Sequence, residues 1–426
     1  MAQAGVCRGT PIWEQDKPPE GRAASSGGLM KISYVAGFAW EPKGTVRSRA
    51  FPLAVEMVRR GHEVTLLIAP YDNRVYSGQQ FVSKGVQVIN LDISGRGALA
   101  LARLPRKFLD LIDRFDPDLV HVFKPKGFAG VTAMALLDRG YRALVLDCDD
   151  WEGWGGWNEV KNYPWMLKEF IDLEERWLVR HVPVVTAASR VLADRALELG
   201  KTQERVFYVP NGISSEDADS VLRLTTGLPC ARKRALGFSG GPLILYAGHF
   251  DPVDDVPFFC RAAAPAALRW GATIALIGDG PGLGAAKQFF SSVPDLQMRC
   301  LGRLPYAEYA RFVAGCDVAT FPYPDNPVYR AKCSARIVDY MAFSKPVLTT
   351  AVGQNAEYLV NGESGILTRA GDEKAYEEGL DRLLQDGDLR TRLGENARRR
   401  LIDNFLWSGR AADECEKAYT LAASLS

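Results

Sequence analysis

Pro242-Leu-Ile-Leu-Tyr-Ala247, followed by Gly248, is a short apolar run that predicts a buried β-strand ending in a loop. It restarts a pattern that begins at Lys31-Ile-Ser-Tyr-Val-Ala36, which is followed by Gly37. After each start, strand-like apolar runs alternate with helical stretches, and this alternation indicates a parallel sheet covered by helices on both faces. The chain therefore predicts an α/β fold of two Rossmann-like, doubly wound domains that face each other across a cleft.

The alternation also predicts the domain boundaries. Residues 1–29 are polar and small, and we expect a disordered N-terminal tail. Residues 30–220 are expected to form the first domain, and 221–240, where the pattern stops, a linker. Residues 241–400 are expected to form the second domain, and 401–426 a C-terminal helix that packs back across the domains.

Composition excludes several classes of protein. The 426 residues carry 52 Lys plus Arg against 51 Asp plus Glu, a net charge of +1, so there is no basic excess of the kind that nucleic-acid binding requires. Eight Cys occur without a Cys-x-x-Cys pair, as in a cytoplasmic protein with reduced thiols. No apolar run approaches the length that spans a bilayer, and residues 1–29 hold no signal-like apolar stretch.

A glycine loop follows one strand of the second domain. Gly278-Asp279-Gly280-Pro281 lies between a strand-like run and a helix-like stretch. Glycines allow a tight turn and the close approach of a ligand, so this loop and Gly248 are candidates for donor binding. An ordinary strand-to-helix turn explains the same residues equally well.

A richer anion-binding pattern lies further on. The Pro-rich loop from Phe321 to Pro327 leads to Lys332-Cys-Ser-Ala-Arg-Ile-Val-Asp-Tyr-Met-Ala342, which reads as a helix start surrounded by basic residues. A helix N-terminus offers unpaired N–H groups to a pyrophosphate. Lys332 or Arg336 could neutralise phosphate while Asp339 accepts hydrogen bonds from ribose hydroxyls. The alternative is a capped helix with an internal Arg336–Asp339 pair.

Several short motifs, in this order and spacing, resemble the retaining GT-B glycosyltransferases of family four. The motifs that resemble the family are Arg60-Gly-His-Glu-Val64, Val209-Pro-Asn-Gly-Ile213, Ile277-Gly-Asp-Gly-Pro281, Leu301-Gly-Arg303, Asp339-Tyr-Met-Ala342 with Lys345-Pro-Val347, and Asn361-Gly-Glu-Ser-Gly365. The similarity runs from about Met30 to the C-terminus, and it implies that residues 30–220 form the acceptor-side domain and residues 241–400 the nucleotide-sugar-binding domain. It implies a metal-independent hexosyltransferase that retains anomeric configuration and needs no cofactor beyond its nucleotide-diphosphate sugar.

The resemblance also assigns donor-side roles. Asp339 takes the second acidic position of a motif with two acids eight residues apart, which holds the donor ribose. Ser334 and Ala335 would offer backbone N–H groups to the diphosphate. Arg303 and Leu304 would line the nucleobase pocket. Gly44, after the first strand, would let the backbone approach the donor phosphates.

Three positions depart from the family pattern. The first acidic position of the motif is Ala331, and the usual Arg and Lys after the strand ending at Gly248 are His249 and Asp254. Another cation must then neutralise the diphosphate. The candidates are Lys332, Arg336, Arg47 and Arg49, and we expect Arg336 and Asp339 to act in catalysis.

The family's frequent histidine falls on Phe123. His121 lies two residues earlier on the same strand face and is the catalytic candidate, with a structural histidine as the alternative. Lys124 and Lys126, at the end of that strand, could meet donor phosphate or acceptor. The acceptor would be a glycan or a lipid-linked glycan, which leaves room for peripheral association with a membrane.

Two further segments suit the acceptor. Asp147-Cys-Asp149-Asp150 could bind a divalent ion, but an acceptor role for Asp149 or Asp150, or helix capping, fits a metal-independent enzyme better. Trp151-Glu-Gly-Trp154-Gly-Gly-Trp157 offers aromatic faces that could stack on sugar rings, with core packing as the alternative.

Three functions fit these observations. The first is a glycosyltransferase. The second is a nucleotide-sugar epimerase of the same architecture. The third is an inactive nucleotide-sugar binder, which the missing family residues at 249, 254 and 331 favour. Nothing in the sequence sets the oligomeric state.

Overall fold

The computed structural model describes residues 28–425 except 42–43, 96, 227–228, 239 and 252–253. Nearly all of the expected disordered tail, residues 1–29, lies outside the described residues. Among those that are described, no helix is both long enough and apolar enough to cross a membrane.

The chain forms two compact units. The first contains the described residues up to Asp147, together with His181–Val184 and the C-terminal end from Tyr419. The second contains Cys148–Arg180 and Val185–Ala418. The domain boundaries expected near residues 220 and 240 stay a prediction.

The first unit is built on a mostly parallel arrangement of strands. Its strands are β1 (Lys31–Ala36), β2 (Glu63–Ile68), β3 (Gln80–Ser83), β4 (Val86–Asn90), β5 (Leu119–Phe123) and β6 (Leu144–Cys148). They lie in the order β3-β4-β2-β1-β5-β6, with only β3 antiparallel to its neighbour β4 among these strands. All five residues of β5 and all five of β6 are buried, because helices cover both faces of a parallel sheet.

The second unit repeats this plan. It holds most of β7 (Val184–Ala187), which pairs in parallel with β8 (Val206–Tyr208). The remaining strands are β9 (Leu243–Gly248), β10 (Thr273–Gly278), β11 (Gln297–Gly302), β12 (Val318–Thr320), β13 (Val347–Thr350) and β14 (Ile366–Thr368). They form a parallel sheet in the order β11-β10-β9-β12-β13-β14.

Helices follow the strands along the chain. The first four are α1 (Phe51–Arg59), α2 (Ala98–Ala102), α3 (Leu104–Phe115) and α4 (Gly127–Asp138). The next are α5 (Trp157–Val160), α6 (Trp165–His181), α7 (Arg190–Glu198), α8 (Ser215–Leu224), α9 (Pro229–Ala235), α10 (Val256–Arg269) and α11 (Gly282–Ser291). The last are α12 (Tyr306–Gly315), α13 (Pro327–Ala331), α14 (Ala335–Ala342), α15 (Asn355–Tyr358), α16 (Glu373–Gln385), α17 (Gly387–Asn404) and α18 (Ala412–Ala423).

The segment read as a linker is more regular than its composition suggests. It contains α9 and the last turn of α8. Ser214 caps α8 by accepting a hydrogen bond from the Asp217 backbone N–H at 3.0 Å, and Ala218 and Val221 are buried. A cap and a narrow apolar stripe suffice for a helix that is otherwise charged.

The strand order places the site in the second unit. β9 is central, and the order of the sheet reverses between β9 and β12. In open parallel sheets a ligand binds at the carboxyl ends of the strands, where the order reverses. The residues directly after Gly248 and after Thr320, where these two strands end, are therefore the first place to look.

Candidate functional site

The two glycines of the Gly278-Asp279-Gly280 loop serve close packing of backbone on backbone. Gly278 and Gly280 have φ of +128° and +140°, which L-residues with side chains rarely adopt. A Cβ at Gly278 would lie 1.8 Å from the Gly248 carbonyl oxygen, and one at Gly280 would lie 1.8 Å from that of His249. These glycines therefore allow their own backbone to pack closely against Gly248 and His249 at the end of β9. Asp279, between them, is exposed.

Two cations lie at the start of α14, as the sequence predicts. The guanidinium of Arg336 lies over the Phe321 ring at 5.2 Å, and Lys332 Nζ lies over the Tyr329 ring at 4.7 Å. Phe321 and Tyr329 are both buried. Within the described part of the chain neither cation has a carboxylate in salt-bridge contact. Aromatic faces thus orient both charges without neutralising them.

A tryptophan and a second lysine, which sequence reasoning missed, join this group. Trp157 stacks under Lys161 Nζ at 4.6 Å and also approaches Lys332 Nζ at 5.7 Å. Lys161 in turn pairs with Asp251, just after β9, at 3.4 Å. Some 175 residues of sequence separate Trp157 from Lys332, so no local pattern could have paired them.

The two positions that depart from the family pattern at this edge of the sheet, His249 and Asp254, carry no positive charge. Although His249 keeps solvent contact, desolvation lowers the pKa of its imidazole to about 4, and Arg336 and Lys332 act in the same direction. Burial raises the pKa of the Asp254 carboxyl, whose oxygen accepts a hydrogen bond from the Asp251 backbone N–H at 2.9 Å. The two substituted family positions thus hold a neutral imidazole and a loop-capping carboxylate, and neither supplies a cation.

The segment that leads into α14 is held by the Val209-Pro-Asn-Gly-Ile213 motif. Asn211 donates from its backbone N–H to Cys333 Sγ at 3.2 Å and from its side-chain amide to the Cys333 carbonyl at 3.0 Å. The Tyr358 hydroxyl donates to the Asn211 carbonyl at 2.7 Å. All three side chains are buried, so the motif fixes the backbone directly before Ser334 and the first turn of α14.

Asp339 lies one turn beyond Arg336 and is half-buried. Tyr306 donates from its hydroxyl to Asp339 Oδ1 at 3.3 Å, a partner that sequence reasoning did not identify. Arg303 is exposed and Leu304 half-buried in the segment that leads from β11 to Tyr306. Ala331, at the first acidic position, is fully buried, so that position presents no polar group.

Three candidate residues of the first unit lie in the segments that follow β1 and β5. Gly44 is exposed, and its carbonyl accepts a hydrogen bond from the Ser48 N–H at 2.7 Å. Lys124 directly follows β5, is buried, and has a φ of +72°, with its Nζ 6.0 Å from the Phe38 ring centroid. Lys126 precedes α4 and is half-buried. The acceptor or phosphate roles of these residues stay predictions.

His121 lies inside the first unit and is 0% exposed. Its Nδ1 is hydrogen-bonded to the Tyr419 hydroxyl at 2.8 Å, and that hydroxyl is bonded to the Tyr34 hydroxyl at 2.6 Å. Burial lowers the pKa of the imidazole to about 4. A buried, neutral, hydrogen-bonded ring matches the structural alternative for His121, since no face of the ring meets solvent.

The aspartates of the Asp147-Cys-Asp149-Asp150 motif differ in burial. Asp147 is fully buried and forms an ion pair with Arg49 at 2.6 Å, so these two groups neutralise each other. Asp149 and Asp150 are half-buried. No group of three or more metal-ligating side chains occurs in the described ranges. Of the two candidate arginines, only Arg47 is exposed, and it lies 3.8 Å from Glu41.

The tryptophan-rich loop, residues 151–157, is held against α6 by hydrogen bonds from its backbone. Three consecutive N–H groups of this loop, from residues 152 to 154, donate to the carboxylates of Glu175 and Asp172. Trp151 packs under Arg195 at 4.0 Å, and Trp154 donates from Nε1 to Glu169 at 3.0 Å. Trp151 and Trp154 are half-buried against these partners, whereas Trp157 is the tryptophan that reaches Lys332.

The chain matches two family models. Residues 44–212 match the Glycosyl transferase 4-like domain, and residues 241–386 match Glycosyl transferases group 1. Together the two matches cover well over half of the chain.

Relatives and solved structures agree with these matches. N-acetyl-alpha-D-glucosaminyl L-malate synthase of Bacillus anthracis is 26% identical over 83% of this chain and 88% of its own length. Three other curated glycosyltransferases match over only 21%, 36% and 58% of their own lengths. Sucrose-phosphate synthase of Thermosynechococcus elongatus superposes with a TM-score of 0.73 at 17% identity, covering 92% of this chain and 100% of that one.

A second solved structure carries ligands. Anabaena HepE, solved in complex with UDP and glucose, superposes with a TM-score of 0.67 at 17% identity, covering 91% of this chain and 98% of that one. These likenesses establish the GT-B fold class, with a parallel α/β sheet in each half. By its two domain matches and this fold, the chain belongs to the glycosyltransferases that join a 4-like domain to a group 1 domain.

Proposed function

We propose that the protein transfers a hexosyl group from a nucleoside-diphosphate sugar to an acceptor, with retention and without a metal ion. One observation carries this proposal. Lys332 and Arg336 lie at the start of α14, next to the strand ends where the sheet order reverses, and are held on aromatic faces with no carboxylate of the described residues in salt-bridge contact. Two cations oriented in this way at a helix start form a site for a diphosphate.

The chemistry follows from where charge develops. When the sugar leaves its donor, negative charge grows on the nucleoside diphosphate. Donors that are already aimed at that charge lower the barrier by several kcal/mol, because they need no reorganisation during the reaction. Backbone N–H groups of Ser334 and Ala335, together with Arg336 and Lys332, would supply this stabilisation. Lys161 lies in the same group, on the Trp157 ring, with its charge paired with Asp251.

The nucleoside end of the donor would lie toward Asp339. A half-buried carboxylate can accept hydrogen bonds from both ribose hydroxyls, and Tyr306 orients it through Oδ1. HepE was solved with UDP and glucose, so a uridine-diphosphate hexose is the first donor to test. Arg303 and Leu304 remain our candidates for the nucleobase.

For the acceptor we propose a glycan or lipid-linked glycan, as the resemblance to family four implies. Lys124, Lys126 and Asp149 stay candidates for binding it. Trp151 and Trp154 are already engaged with Arg195 and Glu169, and Trp157 is engaged with Lys161 and Lys332, so a sugar that stacks on any of them would have to displace one of these partners.

The test is a panel of UDP- and GDP-sugars, measured both by thermal shift and by turnover with candidate acceptors. A donor at 100 times its dissociation constant should stabilise the protein by roughly 2.7 kcal/mol. Arg336→Ala should lose most of that shift. Arg330→Ala is the matched control, because Arg330 is an exposed arginine paired with Asp325 at 2.5 Å on the neighbouring α13.

Each result discriminates among functions. Release of nucleoside diphosphate together with a glycosylated acceptor supports the proposal. An isomerised donor without transfer would identify an epimerase. Binding of a donor without any turnover across the panel would identify an inactive binder, and no shift with any donor would overturn the site itself.

A further inference from the structure

Helix α6 exposes an unusual amount of apolar side chain. Trp165 is 69% exposed, Met166 79% and Leu173 59%, and Leu167 and Phe170 are also exposed. All five lie in the first nine residues of the helix. Single exposed apolar residues are ordinary on protein surfaces, but five within a span of about 12 Å form a patch that marks an interaction surface.

The patch is separate from the face by which α6 packs into its own unit. Met166, Phe170 and Leu173 recur at the i, i+4, i+7 spacing of one helical stripe. Ile171 and Leu178 lie on another side of the helix and are buried. The helix thus has two apolar faces, of which one already has its partner in the fold.

The carboxylates of α6 are buried or half-buried in the fold. Its carboxylates Asp172, Glu174 and Glu175 are buried, and Asp172 and Glu175 accept hydrogen bonds from the backbone of the tryptophan-rich loop. Glu169 is half-buried and accepts from Trp154 Nε1.

Every exposed residue of α6 is therefore apolar or basic. The basic ones are Arg176, Arg180 and His181, one to two turns beyond the apolar patch. The helix turns no fully exposed carboxylate toward solvent.

We propose that this face of α6 docks on an anionic lipid surface. Apolar side chains would enter the interface, with Trp165 at the headgroup level, while Arg176 and Arg180 meet lipid phosphates. The helix would lie in the plane of the interface, since α6, with 17 residues, is not a helix both long enough and apolar enough to cross a bilayer. This surface is distinct from the proposed donor site and does not depend on the chemistry at Arg336.

A second copy of the chain fits the patch less well. A two-fold interface places the same patch against itself. Arg180 and the exposed half of Arg176, which also pairs with Asp172 at 3.4 Å, would then meet a helix face on which α6 presents no fully exposed carboxylate. An anionic surface satisfies both the apolar and the cationic parts of the patch.

The test is flotation of the full chain with vesicles of phosphatidylcholine alone and of phosphatidylcholine mixed with phosphatidylglycerol. We expect binding to the mixed vesicles that weakens as salt is raised. Replacing Met166, Phe170 and Leu173 together by serine should reduce the partition coefficient at least tenfold. Arg176→Glu with Arg180→Glu should reduce it by at least fivefold on the anionic vesicles, with little change on neutral ones.

The matched control is Val75→Ser with Leu99→Ser, which removes a similar exposed apolar area from the first unit. This control should bind as the wild type does. Failure of the wild type to bind anionic vesicles, or equal binding by the triple-serine variant, would overturn the proposal. A dimer in solution that the triple-serine substitution dissociates would overturn it in favour of a second copy.

Discussion

Arg49 and Asp147 form a bidentate ion pair in the interior of the first unit. Arg49 Nε and Nη2 each lie 2.6 Å from one carboxylate oxygen of Asp147, and both side chains are at most 1% exposed. Arg49 belongs to the turn Val46–Ala50 that follows Gly44, and Asp147 belongs to β6. The pair therefore ties the loop after β1 to the carboxyl end of the sheet.

Arg49→Met should destabilise the protein severely. It removes the cation that pairs with buried Asp147, and breaking a buried ion pair typically costs about 3–5 kcal/mol in the free energy of unfolding. Urea unfolding monitored by circular dichroism measures this loss. The double variant Arg49→Met with Asp147→Leu should recover most of it, because no charge then stays buried. A single variant as stable as wild type would show that the pair does not contribute to holding this loop.

His121→Gln should change the pH dependence of stability. The buried imidazole has a pKa of about 4 against 6.5 when it is exposed, so the fold favours its neutral form. That contribution is complete above about pH 6.5 and is lost as the pH falls toward 4. Between about pH 7.5 and pH 4.5 the wild type should lose roughly 2–3 kcal/mol more than the variant in unfolding free energy.

Turnover separates this structural role from a catalytic one. If His121 is structural, His121→Gln keeps kcat near the wild-type value once the variant is folded. A fall of about 100-fold in kcat, with an unchanged unfolding free energy and pH profile of stability, would instead establish His121 as the catalytic base.

Arg336→Ala should lower turnover by about 100-fold or more, the scale seen when one charge-stabilising donor is removed. Arg336→Lys should restore part of this loss, because the charge survives while the bidentate fork does not. Steady-state kinetics with the confirmed donor measure both. Near-full turnover in Arg336→Ala would move the leaving-group role to Lys332 or Lys161, and Arg330→Ala controls for general effects of removing an arginine.

Asp339→Ala should weaken donor binding about 10- to 100-fold, the effect of losing a hydrogen bond to a charged group. Tyr306→Phe should have a smaller effect in the same direction, because it removes only the group that orients Oδ1. Calorimetry with the donor and with free nucleoside diphosphate reports both. Asp325→Ala, an exposed acid on the preceding loop, is the control. Wild-type affinity in Asp339→Ala would exclude the ribose assignment.

Chelator should leave turnover unchanged. Helix-start N–H groups and the cations Lys332 and Arg336 are expected to neutralise the diphosphate, and Asp147 is already paired with Arg49. The measurement is activity before and after exhaustive treatment with EDTA. Loss of activity that Mn²⁺ restores would contradict the prediction and direct attention to Asp149 and Asp150.

Local sequence determined the strands and their boundaries well where apolar runs were continuous. The expected strand Lys31–Ala36 agrees with the structure at both ends, and the strand expected at Pro242–Ala247 lies one residue further along, at Leu243–Gly248. Motif order identified the family, as the two domain matches confirm.

Tertiary structure alone decided what the candidate side chains touch. The sequence by itself determined that cations would cluster at the start of α14, because Lys332 and Arg336 are close in sequence to that helix start. It could not show that Trp157 and Lys161 join them. Nor could it show that Arg49 forms a buried ion pair with Asp147, or that His121 is buried and hydrogen-bonded to Tyr419. Each of these contacts spans about 100 to 300 residues of chain, and only the packing of strands and loops brings such residues together. Periodicity reports which face of an element is apolar, whereas a site depends on which distant faces meet.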